Sequence, residues 1–199
     1  MNASTSSQLS YPAELDNYWK KTEEKLITDF DFRGLDWKQL TASLSPQQHS
    51  DLKKVCSISL FVAEHIAIDG IYFFDQIRSN SIYQPLNAQQ LEHNLNQLIP
   101  ENPTEEQLLK ALRIFRRQTQ IHIIWRDLLR LAKTMDTTRM LSDMADVCII
   151  QGLNHVHAML AEKHGQPIGK NSKNEQQLLV LGMGKLGAHE LNLSSDIDL

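Results

Sequence analysis

Eight residues near the end of this chain have side chains or backbone freedom suited to phosphate chemistry. They are Gly182, Gly184, Lys185, Gly187, Ser194, Ser195, Asp196 and Asp198, within LGMGKLGAHELNLSSDIDL, residues 181–199. The glycines let a backbone approach a ligand closely and present its amides. A helix opening behind them adds the positive end of its dipole. Lys185 supplies a point charge for a phosphate, and Ser194 and Ser195 supply hydroxyls. Asp196 and Asp198 stand two apart, so on a strand both carboxylates share one face. Two hard oxygen ligands side by side suit Mg²⁺, and paired ions clamp the attacking and leaving oxygens of an in-line transfer. On this reading Asp196 and Asp198 are the metal ligands and catalytic carboxylates. The glycines, Lys185 and the two serines are the nucleotide- and phosphate-binding residues.

The same residues admit other readings. The spacing G-x-G-x-x-G matches a dinucleotide-binding turn, which would make the chain an oxidoreductase. That turn needs a long crossover helix behind it and an acidic residue about 20 positions on, whereas here a strand is expected about nine residues after Gly187. No G-K-[ST] follows four spacer residues, so a Walker A loop is excluded. The plainest alternative is a simple turn with both aspartates facing solvent. Arg113, Arg116 and Arg117 share a helix face by their spacing and either meet a phosphate or form a solvated face. His155 and His157, two apart on a helix, point in nearly opposite directions and do not chelate one ion. His189 is expected on the surface of a short helix.

Helices must position these residues. Ser45-Pro46 with Gln48 is a capped helix start, and the run from His49 to Ile68 has an apolar face including Leu52, Val55, Cys56, Ser59, Leu60 and Ala63. IYFFDQI and NAQQLEHNLNQLI read as short helices. Thr104 with Gln107 caps a long helix running to Met135, with Leu108, Leu112, Phe115, Thr119, His122 and Arg126 on one stripe and Leu109, Ile123 and Leu131 widening it. The next helix faces Leu141, Met144, Ala145, Cys148, Ile149, Val156 and Leu160 inward and stops at Gly165. The expected organisation is a disordered tail at 1–10, an all-helical region at 11–165, a linker at 166–175, and a strand–helix–strand at 176–199. In that last segment LLVLGM is the first strand, KLGAHELNL a two-turn helix and DIDL the second strand.

Composition bounds the classes. The chain has 199 residues, a net charge of -4 and a hydrophobic fraction of 41%. That is enough apolar material for a core, and no basic excess points to nucleic acid. No apolar run is long enough to span a bilayer, and MNASTSSQLS lacks the pattern of a secretory leader. Cys56 and Cys148 lack metal or redox spacing and read as buried thiols of a reducing cytoplasm.

GMGKLGAHELNLSSDIDL resembles the signature of the bifunctional glutamine synthetase adenylyltransferase/adenylyl-removing enzymes. The version with ELN before SSDIDL is similar to their N-terminal, adenylyl-removing half. LRIFRRQTQIHIIWRDL and TMDTTRMLSDMADVCI resemble the helical segment upstream, so the resemblance covers roughly residues 50–199. Ala188 stands where the family usually repeats glycine. The resemblance implies a mainly α chain that leads into a polymerase-β-type nucleotidyltransferase α/β domain, here incomplete. It implies a cytoplasmic enzyme that removes AMP from adenylylated glutamine synthetase by phosphorolysis, while its other half adds AMP from ATP. Implied cofactors are Mg²⁺ or Mn²⁺, with ATP or ADP and inorganic phosphate as substrates. Implied partners are glutamine synthetase, a nitrogen-regulatory signal protein and glutamine as effector, with neither nucleic acid nor membrane. The family's domain extends past the Asp-x-Asp, so this chain is expected to be a partial enzyme, inactive alone. The competing expectation is a helical partner-binding module without catalysis.

Overall fold

The computed structural model describes residues 13–199; the tail expected at 1–10 lies outside the described residues. The chain divides into two compact units, up to Ile82 and from Tyr83 onward.

The first unit contains α1 (Ala13–Phe32), α2 (Trp37–Ala42), α3 (Pro46–Ile58), α4 (Leu60–His65) and α5 (Gly70–Arg78). The Ser45 cap forms as its residue types dictate. Gln48 N–H donates to Ser45 Oγ at 3.2 Å and Ser45 N–H to Gln48 Oε1 at 2.8 Å, so two orphan donors of the first turn are satisfied reciprocally. The run from His49 to Ile68 is two helices, not one. Ser59 adopts an extended conformation, and its hydroxyl accepts from Val62 N–H to start α4. Because the break rotates the face, Leu60 is 68% exposed instead of inward. Phe30, Trp37 and Phe74 close the core in edge-to-face contacts 5.2 to 5.8 Å apart, the arrangement the ring quadrupoles favour.

The second unit contains α6 (Ala88–Asn96), α7 (Glu105–Leu128), α8 (Thr134–His164) and the single turn α9 (Gly184–Gly187). Thr104 and Gln107 form the expected cap of α7. α7 ends at Leu128, short of Met135. Arg130 takes a left-handed φ of 57°, and Leu131 N–H reaches back to Arg126 O at 2.8 Å, a helix stop usually made with glycine. α6, α7 and α8 pack their apolar stripes into one cluster that includes Leu91, Leu95, Phe115, Leu141 and Met144. The C-terminal half of α8 departs from expectation: Val156 and Leu160 are exposed. Leu109 and Leu131, expected to widen the α7 stripe, are each 45% exposed.

Four polar residues of α7 lie inside, Thr119, Gln120, His122 and Arg126, and the last two bond backbone carbonyls. Arg126 is buried, with its guanidinium donating to the carbonyls of Tyr83 and Leu131. One turn earlier, buried His122 bonds Gln84 O through Nε2 at 2.9 Å. Burial pushes the His122 imidazole down to about 4; the Gln84 bond opposes this and Arg126 reinforces it. A neutral imidazole donating to that carbonyl fits both facts. The folded form resists protonation more than the unfolded one, so His122's contribution is intact above its usual pKa and lost as pH falls from about 6.5 toward 4. That window is expected to cost about 3 kcal/mol. Denaturant unfolding between pH 7 and pH 4 measures it; equal pH slopes for the wild type and His122→Gln would refute the assignment.

The expected strand–helix–strand is corrected. Among the described residues 176–199 contain no strand, and an isolated antiparallel bridge pairs Ile168 with Glu175. The segments around Met183 and Asp198 are extended but share one backbone bond, Met183 N–H to Asp198 O at 2.9 Å. A strand requires a continuous ladder with a neighbour, and one rung does not make one. The helix expected over KLGAHELNL is α9, four residues long.

Candidate functional site

Two leucines fix the terminal segment to α8. Leu186 and Leu191 are each 4% exposed and join the cluster with Leu141, Met144 and Ala145. Leu191 N–H also donates to the buried Ser142 Oγ at 3.3 Å. Between these anchors the chain turns back at His189, which has a φ of 55°.

The glycines have individual reasons. Gly184 sits at φ 53°, and a Cβ there would lie 3.3 Å from Asp198 Oδ2. A Cβ on Gly187 would lie 2.4 Å from Gly182 O, against backbone with no room to yield. At Gly182 it would crowd the Leu186 side chain at 3.1 Å. The glycine turn therefore closes on itself and against Asp198. α9 is a single turn, with Gly187 N–H bonded to Met183 O and Ala188 N–H to Gly184 O, so it adds less dipole than the longer helix expected.

The serines are held locally. Asn192 Oδ1 accepts from Ser194 N–H and Ser194 Oγ, and Asn192 N–H donates to Ser195 Oγ at 3.1 Å. This tight turn presents Asp196 and Asp198 beyond it, both exposed. Lys185 is exposed as well.

A cleft of about 310 Å³ opens between this segment and the helices. Its walls carry Arg116 and Gln120 from α7, Met144 and Cys148 from α8, and Ser195 and Asp196 from the terminal segment. Of the three arginines singled out by spacing, Arg116 reaches this cleft; Arg113 and Arg117 are not among its lining residues. Asp198 is directed to the Gly184 side instead. Spacing could not have found Gln120, because glutamine in an amphipathic helix reads as a surface residue.

Asp143 and Asp146 of α8 stand beside His189, with potential ligating atoms of the three within 4.8 Å of one another. His189 Nδ1 is 3.9 Å from Asp143 Oδ1. Burial raises the Asp146 carboxyl, opposed by His189 and aided by Asp143. His189 is thus a half-exposed partner of two aspartates that the sequence did not connect to it. His155 lies in a separate recess with Glu105 and Glu162.

The two thiols differ in access. Cys56 is buried, and burial pushes it up to about 12; Cys148 lines the cleft and is pushed up to about 11 by burial, with Arg116 pulling the other way. Thiolates are the reactive form. Iodoacetamide is therefore expected to modify Cys148 first, at a rate that rises with pH toward about 11. Peptide mass mapping of a time course checks this; faster labelling of Cys56 in the folded protein would contradict the burial assignments.

A helical platform carrying this glycine turn and Ser-Ser-Asp-Ile-Asp segment agrees with what comparison with known proteins finds. Residues 49–199 match the glutamate-ammonia ligase adenylyltransferase family, and the chain belongs to that family. Its relatives include bifunctional glutamine synthetase adenylyltransferase/adenylyl-removing enzymes of Pseudomonas aeruginosa, 41% identical over 149 residues, and Pseudomonas syringae, 38% identical over 146. The corresponding Acinetobacter baylyi enzyme is 35% identical over 148 residues. These matches cover 73 to 75% of this chain and 15 to 16% of each relative. The chain thus spans about one sixth of the length of the curated relatives it matches.

Proposed function

We propose that this chain forms part of the adenylyl-removing half of an enzyme acting on adenylylated glutamine synthetase. In that reaction an oxygen of inorganic phosphate attacks the phosphorus of the AMP–tyrosine ester. The P–O bond to tyrosine breaks, the phenolic oxygen takes up a proton, and ADP leaves. The other half of the intact enzyme adds AMP from ATP, with a nitrogen-regulatory signal protein and glutamine setting the balance. The setting is cytoplasmic. Both cysteines are free, and no helix among the described residues is long and apolar enough to cross a membrane.

The observation that carries this reading is the closure of the glycine turn on Asp198. Met183 N–H bonds Asp198 O, and a Cβ at Gly184 would lie 3.3 Å from Asp198 Oδ2, a tight approach at a left-handed φ of 53°. Gly184 and Asp198, fourteen residues apart in the motif, are thereby brought side by side. Asp196 and Asp198 each offer hard, exposed carboxylate oxygens of the kind Mg²⁺ or Mn²⁺ takes, Asp196 on the cleft and Asp198 beside Gly184 rather than on the one strand face expected. When bound, such ions neutralise charge developing on the transferring phosphoryl group. Gly182, Gly184 and Gly187 shape the turn, Lys185 offers a charge to the nucleotide, and Ser194 and Ser195 hold the acidic segment in place through Asn192.

The test is phosphate-dependent AMP release from adenylylated glutamine synthetase by the intact enzyme. Asp196→Asn and Asp198→Asn are each expected to lower it by about 100-fold or more. Unchanged release would defeat the assignment. The 199-residue chain alone is expected to give no turnover, because its two acidic residues lie on a segment joined to the turn by a single backbone rung. A second reading, a docking module without catalysis, draws on exposed Ile150, Val156, Met159 and Leu160 along α8. It requires glutamine synthetase binding that survives both aspartate substitutions and is lost on changing those apolar residues.

A further inference from the structure

Gln120 is 9% exposed, lines the cleft, and has no hydrogen-bond partner among the described residues. Its carboxamide makes no bond to the protein and opens onto the cleft, where water or a ligand can meet it. Arg116 stands one helical turn before it on α7 and lines the same cleft, with no ion pair among the described residues. Positions four apart lie on one helix face, so the guanidinium and the carboxamide act together on a single bound group.

We propose that Arg116 and Gln120 form an anion-holding wall in this cleft that takes one phosphate group. The guanidinium supplies charge and paired donors suited to phosphate oxygens. The Gln120 amide N–H supplies a neutral donor that fixes the group's orientation. The proposal rests on the nucleotide-handling reading of the terminal segment and deepens it: α7, not only the glycine turn, binds substrate. Asp196, which lines the same cleft, repels an anion held by α7 until that carboxylate is itself neutralised. Removing its charge therefore strengthens phosphate binding at Arg116 and Gln120 when no metal is present.

Cys148 lines the cleft and reports on its occupancy. The experiment follows iodoacetamide labelling of Cys148 in the 199-residue chain at about pH 8.5, in chelator and at constant ionic strength, against inorganic phosphate and separately against AMP. Phosphate is expected to slow labelling by about threefold or more at millimolar concentration. AMP protection at lower concentration than phosphate identifies a nucleotide phosphate as the occupant, and protection by phosphate alone identifies the free ion; either supports the wall. Arg116→Ala and Gln120→Ala are expected to weaken protection by about 10-fold. Circular dichroism checks that each variant folds, and Gln120→Glu, which keeps the shape and adds a repelling charge, replaces Gln120→Ala if that variant does not. Asp196→Asn is expected to retain protection at equal or lower phosphate concentration.

Unprotected Cys148 in the wild type would overturn the proposal, as would equal protection in the Arg116 and Gln120 variants. Loss of protection in Asp196→Asn would contradict the expected repulsion and also overturn it. The catalytic reading fails separately, through AMP release that persists in Asp196→Asn of the intact enzyme.

Discussion

Gly187→Ala in the intact enzyme is expected to lower phosphate-dependent AMP release by about 100-fold while leaving the helices folded. The added methyl would stand 2.4 Å from Gly182 O and 3.2 Å from Gly182 C. Both are backbone atoms, so no rotamer change relieves the clash and the turn must open. Overpacking of this kind costs about 1–3 kcal/mol. A displacement near 1 Å in a positioned group costs about 100-fold in rate, which is the fall expected in AMP release. Gly152→Ala on α8 is the control, because a Cβ there meets nothing within 4 Å. It is expected to leave activity intact and to stabilise the chain by about 0.4–1 kcal/mol. Release by Gly187→Ala that matches Gly152→Ala would show that the turn has slack or no part in the reaction.

The second large effect is on stability. Phe115 is 1% exposed and sits in the cluster where α6, α7 and α8 meet the terminal leucines. Its removal leaves a void between long helices that close only partly around it. Phe115→Ala is therefore expected to lower the unfolding free energy by about 3–5 kcal/mol. Leu109→Ala, on the same helix but 45% exposed, is expected to stay within about 0.5 kcal/mol. Denaturant unfolding of the two variants compares them directly. Equal losses would mean that α7 does not bury the face described. Because Arg116 follows Phe115 on α7, this packing also holds the cleft wall in place.

Much of this architecture is legible in residue types. Ser45 with Gln48 and Thr104 with Gln107 announce helix starts, because each pair satisfies two backbone donors at once. What stayed hidden had local causes. Ser59 lies within an unbroken apolar pattern, so its role as a cap emerges only when α3 ends there. Arg130 stops α7 in a left-handed conformation that sequence reading expects of glycine or asparagine. Arg126 falls on the same stripe as His122, but its spacing does not announce that it is spent on carbonyls inside the unit. Leu178 to Met183 has the composition of a strand, but composition supplies no ladder; Leu178, Leu179 and Leu181 are exposed.

The site shows the same division. The motif residues are recognisable by spacing, and the contact between Gly184 and Asp198 gives that spacing a physical meaning. The partners that α7 and α8 bring to them, Gln120 and Cys148 in the cleft and Asp143 and Asp146 beside His189, carry no spacing signal. They come from helices 40 to 80 residues upstream, and only packing brings them near.

The most direct test separates the two directions of the intact enzyme's chemistry in one variant. Asp198→Asn is assayed for phosphate-dependent release of AMP from adenylylated glutamine synthetase and for transfer of AMP from ATP onto the unmodified protein. Release is expected to fall by about 100-fold or more while transfer stays within about twofold. Release that persists, or both directions lost together, would contradict the assignment of Asp198 to AMP release.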